Sequence, residues 1–206
     1  MPWREPSMTY RYLDSPDLDG RFILTTGLLH NEIEDKNILD LNCGTARLLK
    51  YLPHTYNNYY CNDIKPQSVY HPHGRVLFRR LSDEALTDEL ISSYIPIDIL
   101  LCFGLVDGRK TGTPIESNTL IDSIIRLAHY KQPTHILLEA SSRWEYLYKI
   151  IHELKTPLKG EGYSVMGEWI ITPPQVASTE SLTPRLLTHL KLISAGHPGD
   201  NEGPPG

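Results

Sequence analysis

Short apolar runs alternate with helix-compatible segments along most of the chain. The apolar runs predict strands at 37–41, 57–62, 75–80, 97–103 and 134–139. Apolar positions at helical spacing predict helices at 45–52, 83–93, 113–130 and 142–154. Short, nearly continuous apolar strands separated by helices are typical of a parallel sheet with both faces covered.

The last third of the chain follows a different pattern. Strands are predicted at 162–171 and 186–193, with a polar, proline-containing loop instead of a helix between them. Such a pair forms an antiparallel hairpin, which we place at the edge of the sheet. The expected fold is therefore an α/β three-layer sandwich, whose central, mostly parallel sheet has seven strands with the last one antiparallel.

A single α/β domain at 37–194 accounts for this pattern of elements. Residues 1–36 are expected to form a preceding segment, with an amphipathic helix at 21–34. Residues 195–206 are mostly glycine, proline and polar residues, a composition that predicts a disordered tail.

Charge and cysteine content limit the function classes. A net charge of −5 disfavours nucleic acid as the main partner, because nucleic-acid binders usually carry a basic face. Cys43, Cys61 and Cys102 lie in apolar or strand-like runs without CxxC spacing, which predicts buried, reduced thiols of a cytoplasmic protein. The charged N-terminus lacks the apolar core of a signal peptide, and no apolar run reaches the roughly 20 residues of a membrane span. His71 and His73 have no third ligand at the spacing of a metal site.

The stretch after the first predicted strand carries the candidate chemistry. It reads Asp40-Leu-Asn-Cys-Gly-Thr-Ala46, an acid and a tight turn followed by a predicted helix. A strand, a tight turn and a helix N-terminus form a ligand cradle at the carboxyl edge of a parallel sheet. A second acid, Asp63, follows the second strand 23 residues later. An acid at about this distance, roughly 20 residues on, binds ribose hydroxyls in nucleoside-binding α/β folds.

This plan resembles the class I S-adenosylmethionine-dependent methyltransferases, whose first motif reads acidic-x-Gly-x-Gly-x-Gly. Gly44 keeps the central glycine, whereas Asn42 and Ala46 stand at the other two glycine positions. The resemblance implies S-adenosyl-L-methionine as the cofactor, with Asp63 on the ribose and the residue after it on the adenine. The cofactor-binding positions that it implies are Asp40, Asn42, Cys43, Gly44, Asp63, Ile64, Ser82, Asp83 and Phe103. Ser82 and Asp83 are equally good candidates for the N-cap of the following helix.

Two other functions compete with this interpretation. The first is an oxidoreductase that binds a dinucleotide, whose fingerprint starting at 42 would need glycines at 42, 44 and 47. Arg47 argues against it, because its long side chain would obstruct the close helix–strand packing that the third glycine permits. The missing glycines also agree with a catalytically degenerate methyltransferase fold that serves as a binding or scaffold subunit.

The methyl acceptor is not specified by the sequence. Methyltransferases that act on adenine amines or glutamine amides carry Asn/Asp-Pro-Pro-aromatic after strand four, and the chain has Cys102-Phe-Gly-Leu105 there. A small molecule or a protein is therefore the favoured acceptor. The candidate walls of its site are residues 1–30, 104–113 and 172–185. Glu139 and His135 are conceivable general bases, although a structural role is the preferred interpretation of each.

Overall fold

The computed structural model of the chain describes residues 20–44, 46–63, 76–79, 81–105, 115–141, 145–171 and 185–193. The strands are β1 (Asn37–Asp40), β2 (Asn58–Asn62), β3 (Val76–Arg79), β4 (Ile99–Leu105), β5 (His135–Ser141), β6 (Tyr163–Ile171) and β7 (Arg185–Leu192). The α-helices are α1 (Gly20–Leu29), α2 (Asp83–Ser92), α3 (Ile115–Lys131) and α4 (Glu145–Gly160). The predicted tail and most of the three predicted acceptor-site segments lie outside the described residues.

The strands form one mixed sheet in the order β3-β2-β1-β4-β5-β7-β6. Strands β1 to β5 run parallel, and β7 is antiparallel to both of its neighbours, β5 and β6. The α/β class and the mostly parallel sheet are therefore confirmed. β1 lies between β2 and β4, so the strand order reverses there and leaves a crevice at the carboxyl ends of the strands. Ligands of open α/β sheets bind at this point.

Two apolar clusters cover the two faces of the sheet. Because side chains alternate along a strand, Leu39 and Leu100 face one cluster while Ile38 and Leu101 face the other. The first cluster contains buried residues of α2, α3 and α4. The second contains residues of α1 and of the segment between β1 and β2. The sheet is thus the middle of three layers.

The segment after β1 differs from its prediction. The helix predicted at 45–52 is wrong, because only a four-residue 3-10 helix forms, at Arg47–Lys50. Ala46, which precedes it, has the left-handed angles φ 56° and ψ 37°, and these exclude it from a right-handed helix. Its carbonyl accepts from the Leu49 amide over 3.1 Å, the i→i+3 bond of a 3-10 turn. Pro53 then leaves little room for a longer helix.

Two helix ends also differ from expectation. α1 ends at Leu29 rather than 34, and the chain continues in a turn in which the Glu32 amide bonds to the Leu29 carbonyl over 2.8 Å. α4 runs through Pro157 to Gly160 rather than ending at 154. Leu154 and Leu158 are fully buried in the same cluster on either side of the proline. Their burial offsets the loss of one helical hydrogen bond.

None of the helices in the described ranges has the length and apolar character needed to cross a membrane.

Candidate functional site

The turn after β1 crosses over the end of β2. The Leu41 amide still bonds to the Leu101 carbonyl of β4 over 3.0 Å, and the Cys43 amide then bonds to the Asn62 carbonyl of β2 over 3.1 Å. Gly44 follows with a φ of 55°, a conformation that suits glycine. A Cβ added there would meet no atom of the described residues within 4 Å. Among the residues that the structure describes, the turn therefore leaves open space beside the Gly44 backbone, at the carboxyl edge of the sheet.

Asp63 meets this turn directly. It is the first residue after β2, and its Oδ2 accepts a hydrogen bond from the Gly44 amide over 3.1 Å. The side chain is nearly buried, with 8% of the residue exposed. The central motif glycine and the second predicted acid are thus in contact, although 19 residues separate them.

Asp40, the motif acid, is buried beneath the turn with 2% of its surface exposed. Its Oδ2 accepts from the Tyr59 hydroxyl over 2.5 Å, and its Oδ1 has no hydrogen-bond partner among the described residues. Burial raises the pKa of Asp40 to about 7, against the opposing effects of the Tyr59 hydrogen bond and the Arg21 charge. The neighbouring charge of Asp63 raises it further. A hydrogen bond from the Asn42 backbone amide to the Asp40 carboxylate acts to lower that pKa. Asp40 is therefore a buried acid whose pKa is raised chiefly by desolvation.

A buried ion triad lies at the same edge of the sheet. Glu139 of β5 is fully buried, and its two carboxylate oxygens accept from Arg21 Nη1 at 3.2 Å and Arg185 Nη1 at 2.6 Å. Arg21 and Arg185 are themselves buried. Neither arginine was predicted from the sequence to lie near Glu139. An acid inside the apolar run of β5 does indicate that basic side chains from other parts of the chain must pair with it. Glu139 thus has the structural partners expected of it.

The cysteine prediction is partly wrong. Cys43 and Cys61 form a disulfide, with Cα atoms 5.6 Å apart, whereas Cys102 is a buried free thiol as predicted. The pairing follows from strand register. Asp40 lies opposite Cys61 in the parallel β1–β2 ladder, and the turn after β1 brings Cys43 back to Cys61. That separation of Cα atoms suits a disulfide. The bond therefore ties the turn to β2.

The other predicted positions have mixed placements. Asn42 donates from Nδ2 to Cys102 Sγ at 3.7 Å, and the positive φ angles of the turn belong to Gly44 and Ala46 instead of Asn42. Phe103 is buried with its ring edge-on to Phe22. The helix-capping alternative is the one seen for Ser82, whose Oγ accepts from the Ala85 amide at 3.2 Å. Asp83 begins α2, and Ile64 lies outside the described residues.

His135 is far from this edge. It begins β5 at the amino-terminal edge of the parallel strands, and its Nδ1 lies 2.9 Å from His189 Nε2. Its Nε2 lies 3.6 Å from a Glu32 carboxylate oxygen. Burial lowers the pKa values of both histidines, that of His189 to about 4. These contacts agree with the structural role expected of His135.

Comparison with known proteins identifies the fold. No protein-family model and no curated protein matches the sequence. Among solved structures, the chain is similar to the N-methyltransferase NodS from Bradyrhizobium japonicum in complex with S-adenosyl-L-homocysteine. The two have a TM-score of 0.63 and 14% identity over 91% of this chain and 93% of that one.

Two further structures extend the comparison. Magnesium protoporphyrin IX methyltransferase (ChlM) from Synechocystis, with bound S-adenosylmethionine, has a TM-score of 0.58 and 14% identity over 92% of this chain and 86% of that one. An rRNA methylase from Streptococcus thermophilus has a TM-score of 0.53 and 14% identity over 82% and 95%. The chain therefore has the fold of class I methyltransferases, and the predicted resemblance is confirmed at the level of the fold.

Proposed function

We propose that the protein is an S-adenosylmethionine-dependent methyltransferase that binds its cofactor at the carboxyl ends of β1 and β2. The observation that carries this proposal is the hydrogen bond between Gly44 and Asp63. It joins the central motif glycine to the predicted ribose-binding acid at the point where the strand order reverses. NodS and ChlM, which share the fold, have S-adenosylhomocysteine or S-adenosylmethionine bound in their structures.

The residues of the turn fit such a ligand. The open space beside Gly44 allows close approach to the backbone, and Asp63 supplies a carboxylate for ribose hydroxyls. Asp40 Oδ1 is a buried acceptor without a described partner, which suits an ammonium or hydroxyl donor of the ligand. When bound, S-adenosylmethionine supplies the methyl group on a sulfonium.

The contribution of the chain to methyl transfer is alignment. Transfer from a sulfonium is an in-line displacement, so the protein mainly has to orient the nucleophile and exclude water. Glu139 is not placed as a general base, because both of its oxygens accept hydrogen bonds from guanidinium groups. His135 is at the opposite edge of the sheet. These positions favour an acceptor that needs no base from Glu139 or His135.

The acceptor that we favour is a small molecule or a protein. The net charge of −5 gives no general attraction for nucleic acid. With the sheet and its helices forming the core, the acceptor site is proposed to involve residues 1–30, 104–113 and 172–185, as the sequence predicted.

A degenerate methyltransferase fold that acts as a binding or scaffold subunit is the second candidate. Ala46 occupies the position of the third motif glycine and carries a φ of 56°, which strains a residue that has a Cβ. The helix that should follow is reduced to the 3-10 helix Arg47–Lys50. Both departures from the methyltransferase motif lie in the proposed cofactor-binding turn, which is why they favour a fold that has lost its activity.

Calorimetric titration of the full chain with S-adenosylhomocysteine separates the two candidates. Saturable binding supports the methyltransferase, and incubation with labelled methyl donor and host extract then locates the acceptor. Absence of both heat and thermal stabilisation at millimolar ligand would overturn the proposal and leave the scaffold function. NAD⁺ serves as the control ligand, and we expect no binding because Arg47 stands where a dinucleotide fingerprint needs glycine.

A further inference from the structure

The disulfide brackets the proposed cofactor cradle. Cys43 is the residue before Gly44, and Cys61 lies two residues before Asp63. The bond closes a loop over 18 residues that contains the left-handed Ala46 and the whole 3-10 helix. The part of the chain that we propose to bind the adenosyl group is therefore covalently held against β2.

Without the bond, the turn is held by weaker contacts. The Cys43 amide bonds to the Asn62 carbonyl over 3.1 Å, and Asn62 Nδ2 donates to the Leu41 carbonyl at 3.5 Å. The Gly44 amide adds its bond to the Asp63 side chain. The left-handed conformation of Ala46 opposes these contacts, because a residue with a Cβ prefers other backbone angles. Reduction should therefore widen the range of conformations that the turn adopts.

We propose that the Cys43–Cys61 pair is a reversible redox site that sets the affinity of the turn for its adenosyl ligand. This inference rests on the proposed function. The disulfide form is the high-affinity form, because a turn already held in its binding conformation loses less entropy when the ligand binds. The dithiol form binds more weakly, since part of its population has left that conformation.

The chemistry is thiol–disulfide exchange with a low-molecular-weight thiol couple. In reduction, a thiolate attacks Cys43 Sγ, the S–S bond breaks, and Cys61 leaves as a thiolate that takes up a proton. A second thiolate then attacks the outer sulfur of the mixed disulfide and releases Cys43 and a small disulfide. The attack is assigned to Cys43 because it is the less buried of the two, with 8% of the residue exposed compared with 1% for Cys61. Once reduced, the Cys43 thiol has an acceptor in the Gly44 carbonyl oxygen at 3.6 Å.

The test is titration of the unmodified full chain with S-adenosylhomocysteine in oxidised and in reduced dithiothreitol. Alkylation and mass spectrometry assign the state of each cysteine in both samples. We expect Cys43 and Cys61 to change state together and the Kd to be roughly tenfold higher in the reduced sample, within the usual range of coupling between sites. Equal Kd values in both samples overturn the redox inference but leave the proposed function standing. Binding in neither sample overturns both.

Variants give a second readout. Cys61→Ser should bind with the Kd of the reduced protein in either buffer, and Cys102→Ser should retain the redox dependence, because Cys102 is outside the disulfide. A redox-dependent Kd in Cys61→Ser contradicts the assignment. If Cys61→Ser does not fold, the comparison of the oxidised and reduced wild-type protein remains decisive.

Discussion

The backbone amide of Gly44 donates a hydrogen bond to Oδ2 of Asp63, which joins the turn after β1 to the end of β2. The neighbouring disulfide between Cys43 and Cys61 makes a covalent link between the same two segments. The two links together define the geometry of the proposed cofactor cradle. Substitutions in the turn and at the end of β2 can therefore be tested separately.

Replacing Asp63 with asparagine tests the ribose assignment. The amide keeps an oxygen for the Gly44 N–H but loses the negative charge, so hydrogen bonds to ligand hydroxyls become weaker. A hydrogen bond to a charged group contributes about 1.5–3 kcal/mol, and we expect affinity for S-adenosylhomocysteine to fall by roughly 10- to 100-fold. Calorimetric titration measures the change.

Glu34→Gln is the matched control, because Glu34 is exposed and lies before β1. It removes the same charge and should leave the affinity unchanged. Equal affinities for Asp63→Asn and the wild type would show that Asp63 does not bind the ribose, even if the fold is unaffected.

Ala46→Gly tests the strain in the turn. Glycine removes a left-handed penalty of about 1–2 kcal/mol. It also loses a buried methyl group worth about 0.8 kcal/mol. The free energy of unfolding should therefore rise by up to about 1 kcal/mol, as measured by urea denaturation.

Ala128→Gly in α3 is the control for that substitution. Ala128 is equally buried but helical, so glycine there loses both the methyl group and helix propensity, and should lower stability by roughly 2 kcal/mol. A loss of stability in Ala46→Gly as large as in Ala128→Gly would contradict the claim that Ala46 is strained.

Glu139→Gln tests the buried ion triad. The glutamine has nearly the same shape but leaves Arg21 and Arg185 without their shared buried counter-charge. Breaking a buried ion pair by removing one partner costs roughly 3–5 kcal/mol, and we expect a loss of this size in chemical denaturation.

Asp88→Asn provides the comparison at the surface. Asp88 pairs with Arg126 at 2.6 Å, but 59% of its side chain is exposed. The change should therefore cost no more than about 1 kcal/mol. Similar losses in the two variants would mean that the triad does not stabilise the fold in the way its burial implies.

The sequence predicts the fold well because apolar periodicity is a local signal. The strands β1, β4 and β5 were predicted from their apolar runs, and β7 was correctly expected to be antiparallel. The disulfide was missed because its proximity is a tertiary property. Cys43 and Cys61 meet only after β1 and β2 align in parallel with Asp40 opposite Cys61.

The helix after β1 was wrongly predicted for a related reason. The spacing of Leu48, Leu49 and Leu52 suits a helix, and nothing in the local sequence shows that Ala46 must take left-handed angles. The crossing of the turn over β2 imposes this conformation. The partners of Glu139 were missed likewise, because Arg21 and Arg185 come from opposite ends of the chain.

The pH dependence of stability should contain opposing contributions from Asp40 and His189. Burial raises the pKa of Asp40 from 3.8 to about 7, so the folded chain keeps a proton that the unfolded chain releases. Stability from this group is present below pH 3.8 and is lost as pH rises to about 7. Burial lowers the pKa of His189 from 6.5 to about 4, so here the unfolded chain binds the extra proton. This second contribution makes stability rise with pH between about 4 and 6.5.

Two variants separate these contributions in urea unfolding at a series of pH values between the two pKa values of about 4 and about 7. Asp40→Asn removes a group that is increasingly unfavourable as it ionises, so its stability relative to the wild type should increase with pH. His189→Gln removes a group that is unfavourable at low pH, so its relative stability should decrease with pH. Differences that do not vary with pH would show that neither burial shifts the titration. His189 lies on β7, three strands away from β1 in the sheet. A pH dependence of ligand affinity between the same limits should therefore change in Asp40→Asn and stay as in the wild type in His189→Gln.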